Sequence, residues 1–467
     1  MTIDICKTDK PGTTSLWFDQ ALLAEGWAQD VRLFIENGKI SALEISVPCQ
    51  DGDEAHAVGF AGLSNLHSHA FQRGMAGLTE VRGHETDSFW TWREIMYRFI
   101  ERLRPDEVAA IAAMSYVEML ESGFTRVGEF HYLHHDADGK PYANVGEMAE
   151  AIAAAAEESS IALTLLPVFY AHAGFGRAEP EIHQRRFVNS LDRYTQLLNA
   201  SRAATSTLPD AVVGAAPHSL RAATLDEIRA IANLSDGPIH IHIAEQMKEV
   251  DDCLAWSGVR PVDLLLDTVA VDARWCLVHA THMTPGETER LAKTGAVAGL
   301  CPITEADLGD GVFPGADYLR YGGVIGIGSD SNVLIDAAQE LRMLEYSQRL
   351  MSRLRNVLSN GPGSSCGGSL YRRALVGGAQ ATGAAVLGLR VGVAADIVSL
   401  KTDEESMIRP LRDQWFDAWI FAARDGLVAD VWRRGRKVVV DGEHVARAPI
   451  RRRYQQALSR ILGSKGT

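Results

Sequence analysis

Two histidines one residue apart, His67 and His69, close the apolar run LSNLHSHAF. Side chains of an extended segment alternate with period two, so both imidazoles face the same side. One strand can offer a metal ion two nitrogen ligands at this spacing, although surface and core histidines also occur in it. His242 ends the run PIHIHIAE and Asp330 the run VIGIGSDSN. Three neutral imidazoles and a carboxylate suit zinc or iron far better than magnesium or calcium. Glu129, His131, His218, Glu245 and His279 also stand at or just past the ends of apolar runs. An apolar strand needs no ionisable residue at its end in order to fold, so the recurrence asks for a functional account.

The elements that must position these residues are legible in the middle of the chain. Apolar, β-branched-rich runs such as GFTRVGEF, IALTLLPVFY, AVVGAAPHS, WCLVHATHM and AVAGLCPIT alternate with amphipathic stretches such as PDEVAAIAAMSYVEMLES, VGEMAEAIAAAAEES and TLDEIRAIANL. Pro105 and Asp106 make a good helix start. Eight such alternations predict an α/β fold, a parallel (β/α)8 barrel over residues 60–385. In that fold the strand ends collect on one face, where active sites are built. The two ends of the chain read differently, as short half-buried strands with hairpin turns. Residues 1–59 and 386–467 are therefore expected to pair into one discontinuous β-sandwich domain. The stretch GPGSSCGGS at 361–369 reads as a flexible loop.

Composition narrows the partners. The chain has 467 residues, 46% hydrophobic and 23% charged, as expected of a globular protein able to bury a large core. A net charge of −14 argues against nucleic acid or an anionic membrane as a partner. It leaves anionic small molecules open, because a few arginines in a cleft outweigh the global charge locally. Six scattered cysteines, Cys6, Cys49, Cys253, Cys276, Cys301 and Cys366, form no CxxC pair and read as reduced thiols. With no apolar core of signal-peptide length near the N-terminus and no long apolar span, the expected compartment is the cytoplasm.

The HxH after strand one, HxxE after strand five, His after strand six and Asp after strand eight resemble the single-metal deaminase branch of the amidohydrolase superfamily. The resemblance covers nearly the whole chain and implies one divalent metal ion, zinc first, on His67, His69, His242 and Asp330. No lysine stands at the end of strand four, where two-metal members carry a bridging one. By the same resemblance Asp330 accepts a proton from the attacking water, Glu245 shuttles protons to the leaving nitrogen, and His279 orients the attack. His240 is read as a core residue or a support for the ligands.

The flanking stretches NLHSHAFQRGMAGLTEVRG, DSFWTWREIMY, GLCPITEADLGDG and GIGSDSNVLIDAAQELR are similar to the formimidoylglutamate deiminases within that superfamily. This implies hydrolysis of N-formimino-L-glutamate to N-formyl-L-glutamate and ammonia in histidine degradation, and as substrate-binding positions Gln72, Arg93, Tyr132, His218 and Arg221. Arg93, in the loop after strand one, and Arg221, past strand four, fit a substrate with two carboxylates, because a guanidinium fork binds a carboxylate bidentately. A homodimer is plausible by resemblance only. Trp90 and Trp92 are expected to pack the loop that positions Arg93, and His134 and His135 to be loop residues. Asp307 stands where Asn is expected from similar deaminases and is expected to cap its loop. A heterocycle deaminase, for instance of guanine, is the alternative on the same frame; a non-catalytic barrel would have lost ligands, and none is missing.

Overall fold

The computed structural model describes residues 14–82, 88–385, 388–407, 409–424 and 426–463. Cys6 and the expected boundary residue 386 lie outside them. The middle of the chain forms eight barrel strands: β1 (Leu63–Ser68), β2 (Phe124–His131), β3 (Ala162–Phe169), β4 in two pieces (Val212–Val213 and Ala216–Pro217), β5 (Ile239–Ile243), β6 (Trp275–His279), β7 (Val297–Leu300) and β8 (Val324–Ile327). Neighbouring strands pair in parallel. Bridges Ala215↔Ile239 and Ser219↔His242 on one side and Ser68↔Asp330 on the other close the ring. Strands β1, β2, β3, β5 and β6 are buried along their whole length, as a sheet covered on both faces requires. The break in β4 falls at Gly214, where an added Cβ would lie 2.4 Å from the Pro238 carbonyl oxygen, so β5 approaches closer than a side chain allows.

The three amphipathic stretches form helices where the sequence pattern placed them. Pro105–Glu121 starts on its proline, and the Glu107 carboxylate accepts the Arg104 N–H at 3.0 Å. Thr224 and Thr284 cap their helices with a glutamate at the third position of each. The expectation of a loop over 361–369 holds only for its first half. Ser365 accepts the Gly368 N–H at 2.8 Å and opens the helix Cys366–Ala381, because a capping serine outweighs the low helix propensity of two glycines.

The two ends of the chain meet in one eight-stranded sheet, in the order Glu443–His444, Arg436–Val440, Val428–Arg433, Ile397–Leu400, Glu54–Ala61, Thr14–Leu23, Gly26–Glu36, Lys39–Glu44. It curls on itself, so that an added Cβ at Gly435 would meet Ile35 at 2.4 Å, and encloses a core of Leu16, Phe18, Val31, Leu33, Ile397 and Trp432. Buried Arg433 ties this sheet to the barrel: it donates to Asp210 at 2.6 Å and to the Ser160 carbonyl at 3.1 Å and pairs with Asp396. The last helix, Arg447–Leu462, returns to the barrel, with Arg460 on Glu107 at 3.0 Å. Among the described residues five cysteines are free, four of them buried, and no helix is long and apolar enough to cross a membrane.

The Cys366–Ala381 helix comes backbone to backbone with β8 at Gly377. A Cβ at Gly377 would lie 2.0 Å from the Ile325 carbonyl oxygen, which cannot move without breaking the barrel wall. Gly377→Ala is expected to destabilise the protein by about 1–3 kcal/mol, read as a lowered denaturant midpoint; an unshifted midpoint would show that the helix has room to retreat.

Candidate functional site

Strand β1 ends by handing over both histidines. His67 and His69 flank Ser68, with ring centroids 4.7 Å apart. The backbone then bonds across to the segment after β8: the Asp330 N–H donates to the His67 carbonyl and the His69 N–H to the Asp330 carbonyl, both at 2.9 Å. These bonds bring the Asp330 carboxylate to 3.3 Å from His69 Nε2 and 3.6 Å from His67 Nε2. His242, on β5, completes the group, its Nε2 lying 3.0 Å from His67 Nε2.

Two main-chain carbonyls settle which nitrogens carry protons. His69 Nδ1 donates to the Phe130 carbonyl at 2.9 Å and His242 Nδ1 to the His218 carbonyl at 3.1 Å. The Nε2 atoms of both rings are left as lone pairs converging on one point. Burial and the neighbouring imidazoles push His67 and His242 well below the usual histidine range, and burial holds His69 down at about 3. Neutral imidazole lone pairs aimed at each other repel unless a cation lies between them, so this donor set fits a divalent metal with a preference for nitrogen. The ligand atoms of His67, His69 and His242 all lie within 4.8 Å of one another.

Around this cluster stand the titratable groups. His279 leaves β6 in the left-handed region (φ 68°), followed by Ala280 (φ 48°), and this turn aims its ring across the barrel mouth. Its Nε2 is 3.7 Å from both Glu245 Oε1 and Asp330 Oδ2, and its Nδ1 is 3.2 Å from Glu305 Oε1. Burial alone would push this imidazole down, but the Glu245, Glu305 and Asp330 carboxylates together hold it well above its ordinary value. Burial raises Asp330 to about 7, with His279 opposing and Glu245 and Glu305 adding to the rise. Asp310, near Glu245 and accepting from the Gln246 amide, is pushed up chiefly by burial.

A cleft opens over the cluster. His69, His242, Asp330, Glu245, His279, Gln72, Arg93, Tyr132, His218 and Arg221 all line it, whereas His67 is fully buried and does not reach its surface. Gln72 Nε2 donates to Tyr132 Oη at 2.9 Å, and its Oε1 has no partner among the described residues. Arg93 is not in a loop: it sits on the helix Phe89–Ile100, which Ser88 opens with a capping box that the aromatic run concealed. The Trp90 ring lies 4.7 Å from the Arg93 guanidinium, 5.8 Å from that of Arg221 and 5.7 Å from Lys248 Nζ, so one indole offsets part of the mutual repulsion of the cations. Trp92 lines the cleft itself.

His134 and His135 lie in the loop after β2, as expected, and both are buried, with Nε2 at 2.9 Å from the Val168 and Val188 carbonyls. One other expectation needs correction. Asp307 ends the helix Pro302–Asp307 and makes no capping bond to a described residue, while Glu305 accepts the Cys301 N–H at 2.9 Å at that helix's start. His240 turns away from the cleft and bonds the Ala381 carbonyl at 2.7 Å. Glu129, raised to about 8 by burial, accepts the Ala70 N–H behind the cleft. Tyr97, Tyr170, Glu305 and Asp310 were missed. Tyr97 follows Arg93 by one helical turn and so shares its face, and Tyr170 directly follows β3, the same strand-end signal that picked out the others.

The residues 59–438 match the model of the amidohydrolase family, and residues 13–57 match that of the formimidoylglutamate deiminase HutF N-terminal domain. The chain is 48% identical to a formimidoylglutamate deiminase of Pseudomonas aeruginosa over 96% of its length and 100% of the relative's. Its fold superposes on an amidohydrolase from Brucella melitensis with a TM-score of 0.93 at 53% identity, over 96% of this chain and 100% of that one. An adenosine deaminase from Xanthomonas campestris with bound zinc shares the fold at a TM-score of 0.79 and 21% identity, over 97% and 100% of the two chains.

Glu305 is the only one of these side chains seen to accept both a main-chain N–H and a ring nitrogen of the site, and it does so in the interior. Glu305→Met keeps the volume and leaves both donors unpaired, which is expected to cost about 2–4 kcal/mol. Denaturant unfolding checks this, and an unchanged midpoint would show that the pair contributes no stability.

Proposed function

The chain belongs to the amidohydrolase family, and on that premise we propose that it hydrolyses N-formimino-L-glutamate to N-formyl-L-glutamate and ammonia. The observation that carries this reading is the sharing of one cleft by two guanidinium groups, Arg93 and Arg221, and the convergent imidazole cluster. A deaminase of a neutral heterocycle has no use for two fixed cations within reach of its reacting centre. A dicarboxylate does, and the protein's net charge of −14 makes such a local concentration of positive charge the more telling. The 48% identity to a formimidoylglutamate deiminase supports the same substrate.

Amidohydrolases are metal-dependent, and the site we assign to a single zinc ion is His67, His69, His242 and Asp330. When bound, such an ion supplies Lewis acidity and brings the pKa of water to about 7. The chain's own residues do the rest. Arg93 and Arg221 hold the carboxylates, with Gln72, Tyr132 and His218 as further donors or acceptors at the rim. Gln72 Oε1, buried and without a partner among the described residues, is a ready acceptor for an amidine N–H. The attacking water loses a proton to Asp330, whose carboxylate lies 3.7 Å from His279 Nε2. His279 orients that water, its ring fixed from behind by Glu305. Glu245, 3.7 Å from His279 and 3.9 Å from Arg221, protonates the imino nitrogen. Asp330 then passes its proton to the same nitrogen while Glu245 takes that of the new hydroxyl, so that as the carbon–nitrogen bond breaks ammonia leaves and the carbon keeps the water oxygen as a formyl group.

A coupled ammonia-release assay tests the substrate. N-formimino-L-glutamate should be turned over, with formiminoglycine and guanine far behind; comparable rates on formiminoglycine would remove the two-carboxylate pocket, and guanine turnover alone would overturn the assignment. Glu245→Gln separates proton transfer from metal binding. It should lower kcat by about 10²–10⁴-fold with zinc content by atomic absorption unchanged, and loss of the metal would contradict the shuttle role.

A further inference from the structure

Two phenols in the cleft have no task in the chemistry above. Tyr97 and Tyr170 both line it, 6% and 7% exposed. Their hydroxyl oxygens share one donor, Gln184 Nε2, at 3.3 Å from Tyr97 Oη and 2.9 Å from Tyr170 Oη. Gln184 is buried, and its orientation is decided by the backbone: its Oε1 accepts the Glu181 N–H at 2.9 Å. An amide oxygen only accepts and an amide nitrogen only donates, so it is the nitrogen that faces the phenols. Both phenol oxygens therefore serve as acceptors there. Each keeps its own proton to donate, and among the described residues neither proton has an acceptor.

The surroundings say what would accept them. The Arg93 guanidinium lies 5.5 Å from the Tyr97 ring centroid, and the charges of both Arg221 and Arg93 reach the Tyr170 hydroxyl. Two cations and two O–H donors facing one space call for a group with several lone pairs and a negative charge, which is a carboxylate. On one side the Phe187 ring closes the pocket, 6.3 Å from Tyr97 and 5.7 Å from Tyr170.

We propose that Tyr97 and Tyr170, their protons turned into the cleft by Gln184, bind one substrate carboxylate beside the arginines and so set the preference for a dicarboxylate. The inference rests on the deimination reading for the identity of the substrate, and on the donor geometry alone for the class of group bound. Gln184 is a positioning residue in this scheme. It touches no substrate, and it acts by deciding the direction of two hydrogen bonds.

The test uses the double variant Y97F/Y170F and the single variant Q184E. A glutamate at 184 still accepts the Glu181 N–H, but it presents an acceptor to the phenols and draws their protons away from the cleft. Removing a hydrogen bond to a charged group costs about 10-fold or more in affinity. The double variant should therefore raise KM for N-formimino-L-glutamate on the order of 100-fold, with kcat retained, and Q184E should follow it in direction. The formimino derivatives of 4-aminobutyrate and of L-2-aminobutyrate each lack one carboxylate. One of them should be handled alike by wild type and double variant, and the other should show the full loss. An equal loss on both, or an unchanged KM on the parent substrate, would overturn the assignment.

Glutarate binding by calorimetry is read in parallel and needs no turnover. Its affinity should fall in both variants while the thermal midpoint holds. Weakened glutarate binding in a protein that fails to release ammonia from N-formimino-L-glutamate would sink the deimination reading and leave the phenol pair standing. Unchanged glutarate affinity would remove the phenol pair whatever the substrate.

Discussion

The site depends on one closure. Between β8 and β1 the barrel ring is completed by a single bridge, Ser68 to Asp330, in which two main-chain hydrogen bonds cross between His67, His69 and Asp330. Because alternation along β1 puts both imidazoles on one side, the register of this bridge places the carboxylate against them; a slip of one residue would send it to the other face. The register is held by a buried chain of side-chain bonds. Asn65 donates to Ser329 Oγ at 2.6 Å and accepts the Ser329 N–H, Ser329 donates to Asn332, and Asn332 donates to Ser68 Oγ at 3.1 Å. A fully satisfied polar network in the interior specifies one arrangement, since any other leaves donors without acceptors. Asp330 and Asn332 both sit in the left-handed region, at φ 44° and 56°, a local cost that the network and the packed barrel around it offset.

Charge in the cleft is arranged in layers. Imidazoles kept neutral by burial lie lowest, carboxylates ring them, and guanidinium groups stand at the rim, steadied by the Trp90 ring. Each layer makes the next less costly to bury. The carboxylates at Glu245 and Glu249 lie 3.9 and 3.8 Å from Arg221, so a cation that must meet an anionic ligand is already partly neutralised before it arrives. Full neutralisation would leave nothing for the ligand, and these distances are too long for hydrogen bonds.

The parts of this site that alternate with period two or sit at strand ends were legible in the sequence. His67, His69, His242, Glu245, His279 and Asp330 were found because an apolar strand has no structural use for them. The barrel itself was legible from the same alternation. Arg93 was recognised but misplaced, because DSFWTWRE carries bulky aromatics that read as loop packing, whereas Ser88 and Thr91 fix a helix start there. The break in β4 was hidden since it comes from the approach of β5, a contact between distant residues. Gln184 and Glu305 act through hydrogen-bond direction, and direction is set by which backbone group happens to lie opposite. Neither residue has a periodic signature. Asp307 was judged from an expected neighbour's identity, and the structure gives the capping task two residues earlier, to Glu305.

The curled sheet has a consequence for the order in which the protein can be made. Its strand Glu54–Ala61 sits between Thr14–Leu23 and Ile397–Leu400. On a ribosome, the first of these neighbours emerges at once, and the second only after the entire barrel has been synthesised. Throughout that interval one edge of Glu54–Ala61, ending in the apolar Val58–Ala61, is without its partner, while the barrel that follows can already close through the seam at Ser68. The catalytic half thus precedes the half built from both ends, and Arg433, with Asp210 as its partner, draws the late strands onto a surface that is already there. The Arg447–Leu462 helix, made after the barrel, is laid against Pro105–Glu121, so a late segment fastens onto one of the earlier helices.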